Sequence, residues 1–238
     1  MNPEPQAIFF DMDGTILDWT TGMEESWLAS CELHGPGGEL TPAELHAAIR
    51  ERRTWFWGDQ KRAYRGRMDL DGASREIVRR AFADLSVGTD DVAHRLADHY
   101  RALRIEAIAP YPGAIATLDA IRARGIPMAL ITNGEARNQR RSVETHALEP
   151  YFDCIVIEGE FGAGKPDERV FRHALAAIGS GPEQTWMVGD NFEADIATPH
   201  RLGMHTIWID AESRGVPASA RVQPHRILRS IAELMPSS

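Results

Sequence analysis

The stretch "IFFDMDGT", residues 8–15, drives an apolar run straight into two carboxylates, Asp11 and Asp13, with a single residue between them. An apolar strand that ends in paired acids needs something positive nearby, or one of the acids must stay protonated. The rest of the chain supplies the context for that demand. Further strands are read at 127–132, 154–158, 185–189 and 206–210, each short, apolar and partly β-branched. Helical patterns follow at 135–146, 167–178 and 192–202, and a final helix is expected over 226–234. This alternation predicts an α/β fold, a Rossmann-like doubly wound parallel sheet with helices on both faces. Ligands bind such sheets at the carboxyl ends of the strands.

One connection breaks the rhythm. From residue 18 to about 109 the pattern is helical, with stretches at 23–33, 42–57, 74–85 and 90–103. A crossover needs only about a dozen residues, so the excess reads as an inserted helical domain over the strand ends, a candidate lid. The expected division is an α/β core of residues 1–17 plus 107–238, carrying the catalytic site, and a helical cap of residues 18–106.

Composition narrows the class. The 238 residues are 43% hydrophobic and 26% charged, as in ordinary globular proteins. A net charge of -9 argues against a nucleic-acid polymer as partner, because no cationic excess exists to neutralise phosphates. No run approaches the ~18 apolar residues of a membrane span, and the start "MNPEPQAIFF" lacks a secretion signal's basic and apolar blocks, so a cytoplasmic setting without membrane partners is expected. Cys31 and Cys154 stand far apart and read as two reduced thiols. Nothing in the sequence sets an oligomeric state.

Each strand's carboxyl end carries polar groups. The first gives Asp11 and Asp13, the second gives Thr132, Asn133 and Gly134 in "ITNG", the third leads to Lys165, and the fourth gives Asp190 and Asp195 in "VGDNFEAD". If the strands are neighbours, four carboxylates, a hydroxyl, an amide and an ammonium converge. Two like charges about 4 Å apart repel by roughly 4 kcal/mol at an effective dielectric of ~20, so the group calls for a cation. A carboxylate and water shell beside phosphate suits Mg²⁺. Lys165 adds a second positive charge. It and Lys61 are the only lysines among 26 basic residues, so a compact ammonium is required where an arginine would otherwise stand.

Four pieces in order, "DMDGT", "ITNG", "GAGKPD" and "GDNFEAD", resemble the four motifs of the haloacid dehalogenase-like hydrolase superfamily, and the helical insert resembles the lid of its C1-capped members. The "ITNG" and "GDN" variants are similar to its nucleotidase and acylneuraminate-phosphatase branches, with phosphoglycolate phosphatases alongside. The resemblance implies that Asp11 is the nucleophile and forms an aspartyl-phosphate. It implies that Asp13 protonates the leaving oxygen and then activates water. Thr132, Asn133, Gly134 and Lys165 would bind phosphate, with Thr132 and Lys165 counted among the catalytic groups. Mg²⁺ would sit on Asp11, the Asp13 main-chain carbonyl and Asp190, with Asp195 in support by orienting Lys165 or metal-bound water.

The same residues admit rival readings. "MDLDGAS" repeats the first motif at Asp69 and Asp71 but follows a polar stretch, and helix N-capping explains it. An EF-hand at Asp11 fails because Gly14 falls at loop position four rather than six. "GEFGAGKP", 159–166, has phosphate-loop spacing, yet Pro166 stands where a hydroxyl must ligate the metal. A 2-haloacid dehalogenase would use Asp11 on carbon, but members of that kind lack an aspartate at the place of Asp13. A phosphomutase would carry the same motifs, and a non-enzymatic Mg²⁺- or phosphate-binding interaction module would keep the same fold. In the insert, Trp55, Phe56, Trp57 and Tyr64 mix with arginines over residues 52–67; they either stack on a nucleobase or pack the helices. The expected activity is Mg²⁺-dependent hydrolysis of a small phosphate ester, such as a nucleoside monophosphate or sugar phosphate.

Overall fold

Strand β1 (Ala7–Phe10) occupies the middle of its sheet because its four residues, AIFF, are apolar without a break and fully buried, which requires cover on both faces. In the computed structural model, which describes residues 4–234, β2 (Leu17–Asp18) and β3 (Ala109–Pro110) form a separate antiparallel pair. The other strands are β4 (Met128–Thr132), β5 (Cys154–Ile157), β6 (Thr185–Gly189), β7 (His205–Ile209) and β8 (Arg226–Leu228). They assemble with β1 in the order β5-β4-β1-β6-β7-β8, and every pairing is parallel. Successive strands step outward through β4 and β5 on one side of β1 and through β6 and β7 on the other. The chain order therefore reverses beside β1, where such sheets open a crevice at their carboxyl ends.

By its internal contacts the chain divides into two units, one running up to Asp18 and resuming at Ala109, the other Trp19–Ile108. The second unit is helical: α1 (Met23–His34), α2 (Pro42–Trp57), α3 (Gln60–Met68), α4 (Leu70–Leu85) and α5 (Asp90–Ala107). Local chemistry sets their starts. Thr41 and Glu44 form a reciprocal capping box ahead of α2, with Pro42 in its first turn. Asp59, Asp69 and Thr89 cap α3, α4 and α5. Asp69 accepts from the Gly72 N–H at 2.8 Å, which is the capping role read for "MDLDGAS", although α4 begins at Leu70 rather than residue 74.

The core of this unit includes Trp27, Ile49, Phe56, Ile77, Phe82 and Leu96. Phe56 is buried and Trp55 packs against the same core, with the Arg62 and Arg80 guanidinium groups 4.0 and 4.4 Å from its ring centroid. Trp57 and Tyr64 stay exposed at 41% and 51%. Packing thus accounts for half of the aromatic group. Helix α3 leaves no apolar pattern in the sequence because its inward residue is a glycine: a Cβ on Gly66 would stand 2.5 Å from the Phe56 ring, so the apolar contact comes from the neighbours.

In the sheet unit, α6 (Ala114–Ala123), α7 (Ala136–Thr145), α8 (Glu158–Phe161), α9 (Glu168–Ile178) and α10 (Thr198–Arg201) flank the strands. The expected helix at 192–202 is divided, a π-helical segment over 192–197 leading into α10. Pro199 has no N–H to give to the Asp195 carbonyl, so an α ladder cannot run through. The expected helix at 226–234 is overturned. Residues 226–228 pair with β7, and only a 3-10 turn at 231–233 follows. Ile227, Leu228, Ile231 and Leu234 have helical spacing, but the open edge of β7 offers backbone partners that a helix would leave unpaired. Among the described residues no helix is long and apolar enough to cross a membrane.

Candidate active site

The carboxyl end of β1 leads into a tight turn in which the Met12 carbonyl accepts from the N–H groups of Ile16 and Leu17 at 2.8 and 2.9 Å. Asp11, buried, continues the sheet by donating its N–H to the Val188 carbonyl at 2.9 Å. Gly14 sits at φ +89°, and a Cβ there would fall 2.5 Å from Asp190 Oδ2. Only glycine meets both demands, the left-handed backbone and the close approach of Asp190.

Lys165, 3% exposed, places Nζ 2.6 Å from Asp11 Oδ1 and 2.7 Å from Asp195 Oδ1. Its main chain is gripped from both sides by Asn133: Nδ2 donates to the Lys165 carbonyl at 2.7 Å, and Oδ1 accepts from the Lys165 N–H at 2.8 Å. The Gly134 N–H donates to buried Glu158 at 3.0 Å. The sequence reading gives Asn133 and Gly134 to phosphate; in the structure the Asn133 amide is bonded to the Lys165 main chain and the Gly134 N–H to Glu158. Asp195 is fully buried, its Oδ2 accepting from the Asn191 N–H at 3.0 Å. The Asp190 carbonyl accepts from the Trp208 indole at 2.8 Å.

Asp11, Asp190 and Asp195 each bring one carboxylate oxygen to within 4.8 Å of the others. Desolvation first, and then the charges on Asp11 and Asp195, hold the Asp190 carboxyl well above the usual range. Burial and then the Asp11 charge raise Asp13 to about 6. Burial pulls the Lys165 ammonium down, but the facing Asp11 and Asp195 carboxylates outweigh it and its pKa is raised. One ammonium against this many carboxylates leaves negative charge over, and an all-oxygen donor set of this kind fits a hard divalent cation.

A protein-family model described as haloacid dehalogenase-like hydrolase matches residues 5–203. The chain belongs to the haloacid dehalogenase-like hydrolases. N-acylneuraminate-9-phosphatase of Rattus norvegicus is 33% identical over 248 residues, covering 96% of this hydrolase and 92% of that protein. Phosphoserine phosphatase of Thermus thermophilus is 39% identical over 140 residues, a match that covers 58% of this chain and 55% of its own length. Among solved structures, the HAD-hydrolase YfnB of Bacillus subtilis, bound to magnesium, superposes with a TM-score of 0.73 at 22% identity, covering 98% of this chain and 97% of that one. The fold is shared, and the two curated relatives named above are phosphatases.

Two residues of this hydrolase's site escape a reading of the sequence. Gln139, on α7, donates from Nε2 to Asp13 Oδ2 at 3.0 Å and accepts at Oε1 from the Thr132 hydroxyl at 3.0 Å. Its signal is there to be found: α7 buries only positions 139 and 143, so an amide stands where the helix's short inward stripe calls for an apolar side chain. Glu158 follows β5 directly and reads in sequence as the strand's last residue, which hides a carboxylate that faces the Gly134 N–H.

Proposed function

We propose that this hydrolase is a Mg²⁺-dependent phosphomonoesterase that acts on a small phosphorylated metabolite through an aspartyl-phosphate. The observation that carries the reading is the pair of first-loop acids in two different settings. Asp11 is ion-paired to buried Lys165, whereas Asp13 is held by the neutral amide of Gln139 and raised to about 6. An acid needs its proton, and the raised Asp13 carboxyl keeps one more readily than an ordinary aspartate, while Asp11 faces the Lys165 ammonium.

In this reading an Asp11 oxygen bonds to phosphorus while the bond from phosphorus to the leaving oxygen breaks, and the leaving oxygen takes the Asp13 proton. Asp13, now a carboxylate, removes a proton from the water that attacks phosphorus and frees Asp11. Lys165 serves the phosphoryl oxygens, the Thr132 hydroxyl donates its hydrogen bond to Gln139, and Asn133 fixes the loop that carries Lys165. Asp195 orients the ammonium. Asp11, the Asp13 main-chain carbonyl and Asp190 are the ligands for Mg²⁺, whose chemistry when bound is to offset charge on the transferring group. The helical unit takes the role of a C1-type cap, and the division of labour between core and cap belongs to this proposal. A cytoplasmic setting belongs to it as well, in keeping with the free thiols of Cys31 and Cys154.

Because N-acylneuraminate-9-phosphatase matches across 96% of the chain, an acylated sugar-acid phosphate heads the panel of substrates, with nucleoside monophosphates and phosphoserine beside it. The test is phosphate release from that panel with and without Mg²⁺, comparing wild type with Asp11→Asn and Asp13→Asn. Metal-dependent turnover lost in both variants is the expected result. Silence on every phosphate ester, with halide set free from 2-haloacids in the absence of metal, would replace this reading by dehalogenation at carbon.

A further inference from the structure

The buried amide of α7 has no task in the bond-making and bond-breaking steps. Burial of an amide is costly unless its donor and acceptor both find partners, and both ends of Gln139 are bonded to groups of the site. Gly134 makes room for it, since a Cβ at that position would stand 2.9 Å from Gln139 Nε2. The chain therefore holds a hydrophilic side chain, through a glycine at φ +135°, where a small apolar one would complete the helix face more simply.

We propose that Gln139 is a positioning residue for the two proton transfers, an inference that rests on the phosphatase reading. By donating to Asp13 Oδ2 it fixes the carboxyl plane and leaves Oδ1 as the oxygen that carries the proton. By accepting from the Thr132 hydroxyl its amide is oriented so that Nε2 faces Asp13. In the first transfer the Oδ1 proton goes to the leaving oxygen as its bond to phosphorus breaks. In the second, Oδ1 takes a proton from water as the water oxygen bonds to phosphorus and the bond to Asp11 breaks. The amide is unchanged in both.

This role is visible in leaving-group dependence. A p-nitrophenolate departs without a proton, whereas an alkoxide does not, and kcat/KM reports the steps through the first irreversible transfer. Gln139→Met keeps the volume and removes both hydrogen bonds. Its kcat/KM is expected to fall about 10-fold or more further on an alkyl ester, phosphoserine or the sugar phosphate turned over fastest, than on p-nitrophenyl phosphate, with KM changed by less than about 3-fold; positioned proton transfer as a whole is worth about 10²- to 10⁴-fold. In an Asp13→Asn background the same substitution should add almost nothing, because the group it positions is gone. If Gln139→Met does not fold, Gln139→Leu likewise removes both hydrogen bonds with an apolar side chain of similar size, and the same selective loss is expected. Equal losses on the two esters, or full additivity in the double variant, would overturn the role. Wild-type silence on both esters would instead overturn the phosphatase reading, and this inference with it.

Discussion

Replacing Lys165 by methionine keeps the length of the side chain and deletes its charge, which makes the ammonium's contribution measurable. The side chain is 2% exposed and its Nζ lies 2.6 and 2.7 Å from Asp11 and Asp195, whose side chains are 10% and 1% exposed. Without it two buried carboxylates face each other with oxygens no more than 4.8 Å apart. At an effective dielectric of ~20 their repulsion alone is about 3.5 kcal/mol, and removal of one partner from a buried ion pair typically costs about 3–5 kcal/mol. For a chain of this size each kcal/mol moves the midpoint by about 2–4 °C, so Lys165→Met should melt roughly 10 °C below wild type at pH 8 without added metal. The sign of the pH dependence follows from linkage. The orphaned carboxyls are raised in the folded variant relative to the unfolded chain, so the folded state binds the extra proton and the deficit shrinks as pH falls toward 5. The assay is thermal unfolding followed by circular dichroism from pH 5 to 8, with both proteins in the same chelator-containing buffer. A variant as stable as wild type at pH 8, or a deficit that widens on acidification, would refute the reasoning.

Gly14→Ala should cost stability and metal binding together: φ +89° strains an alanine by about 1–2 kcal/mol, and its Cβ would meet Asp190 Oδ2 at 2.5 Å; titration calorimetry with Mg²⁺ should show weakened binding, and wild-type affinity would contradict the proposed ligand set. Gly66→Ala should destabilise the helical unit by about 1–3 kcal/mol through overpacking against Phe56, read as a lower denaturant midpoint. His205, lowered to about 4 by burial, then by His225 and Arg226, refuses a proton that the unfolded chain accepts below ~6.5. It should therefore cost about 1–2 kcal/mol, after allowance for partial exposure, as pH falls from 6.5 to 4; in urea unfolding at pH 7.5 and 4.5, His205→Gln should lose less stability than wild type across that window.

Legibility of the fold follows burial. Strands β1, β4 and β6 are continuous apolar runs because both faces are covered, so composition alone marks them within a residue or so. Failures come where a segment's structure is set by its neighbours. Helix α3 has no apolar face of its own, its contact being supplied by Phe56 and Trp57 across Gly66. Residues 226–228 take the open edge of β7 against their own helical spacing. Sequence periodicity reports what a segment buries and is blind to which backbone partners await it.

The site is legible to a different depth. Asp11, Asp13 and Asp190 stand out because charge at the end of an apolar strand has no structural excuse, and Lys165 because lysine is so rare in the chain; the structure brings Asp11, Lys165, Asp190 and Asp195 to one place with Asp13 beside them. What sequence leaves open is which polar atoms are already engaged. The sequence does not show that the Asn133 amide closes a two-bond ring with the Lys165 main chain. Gln139 looks like one more polar residue of a hydrophilic helix until both its ends are found on Asp13 and Thr132. A neutral side chain that holds charged ones in place carries little signal in composition, since its value lies in geometry alone. The acids and the ammonium define which chemistry the chain can attempt. In the reading proposed here, the amides decide which carboxylate oxygen is free to carry a proton and how firmly the ammonium faces its nucleophile.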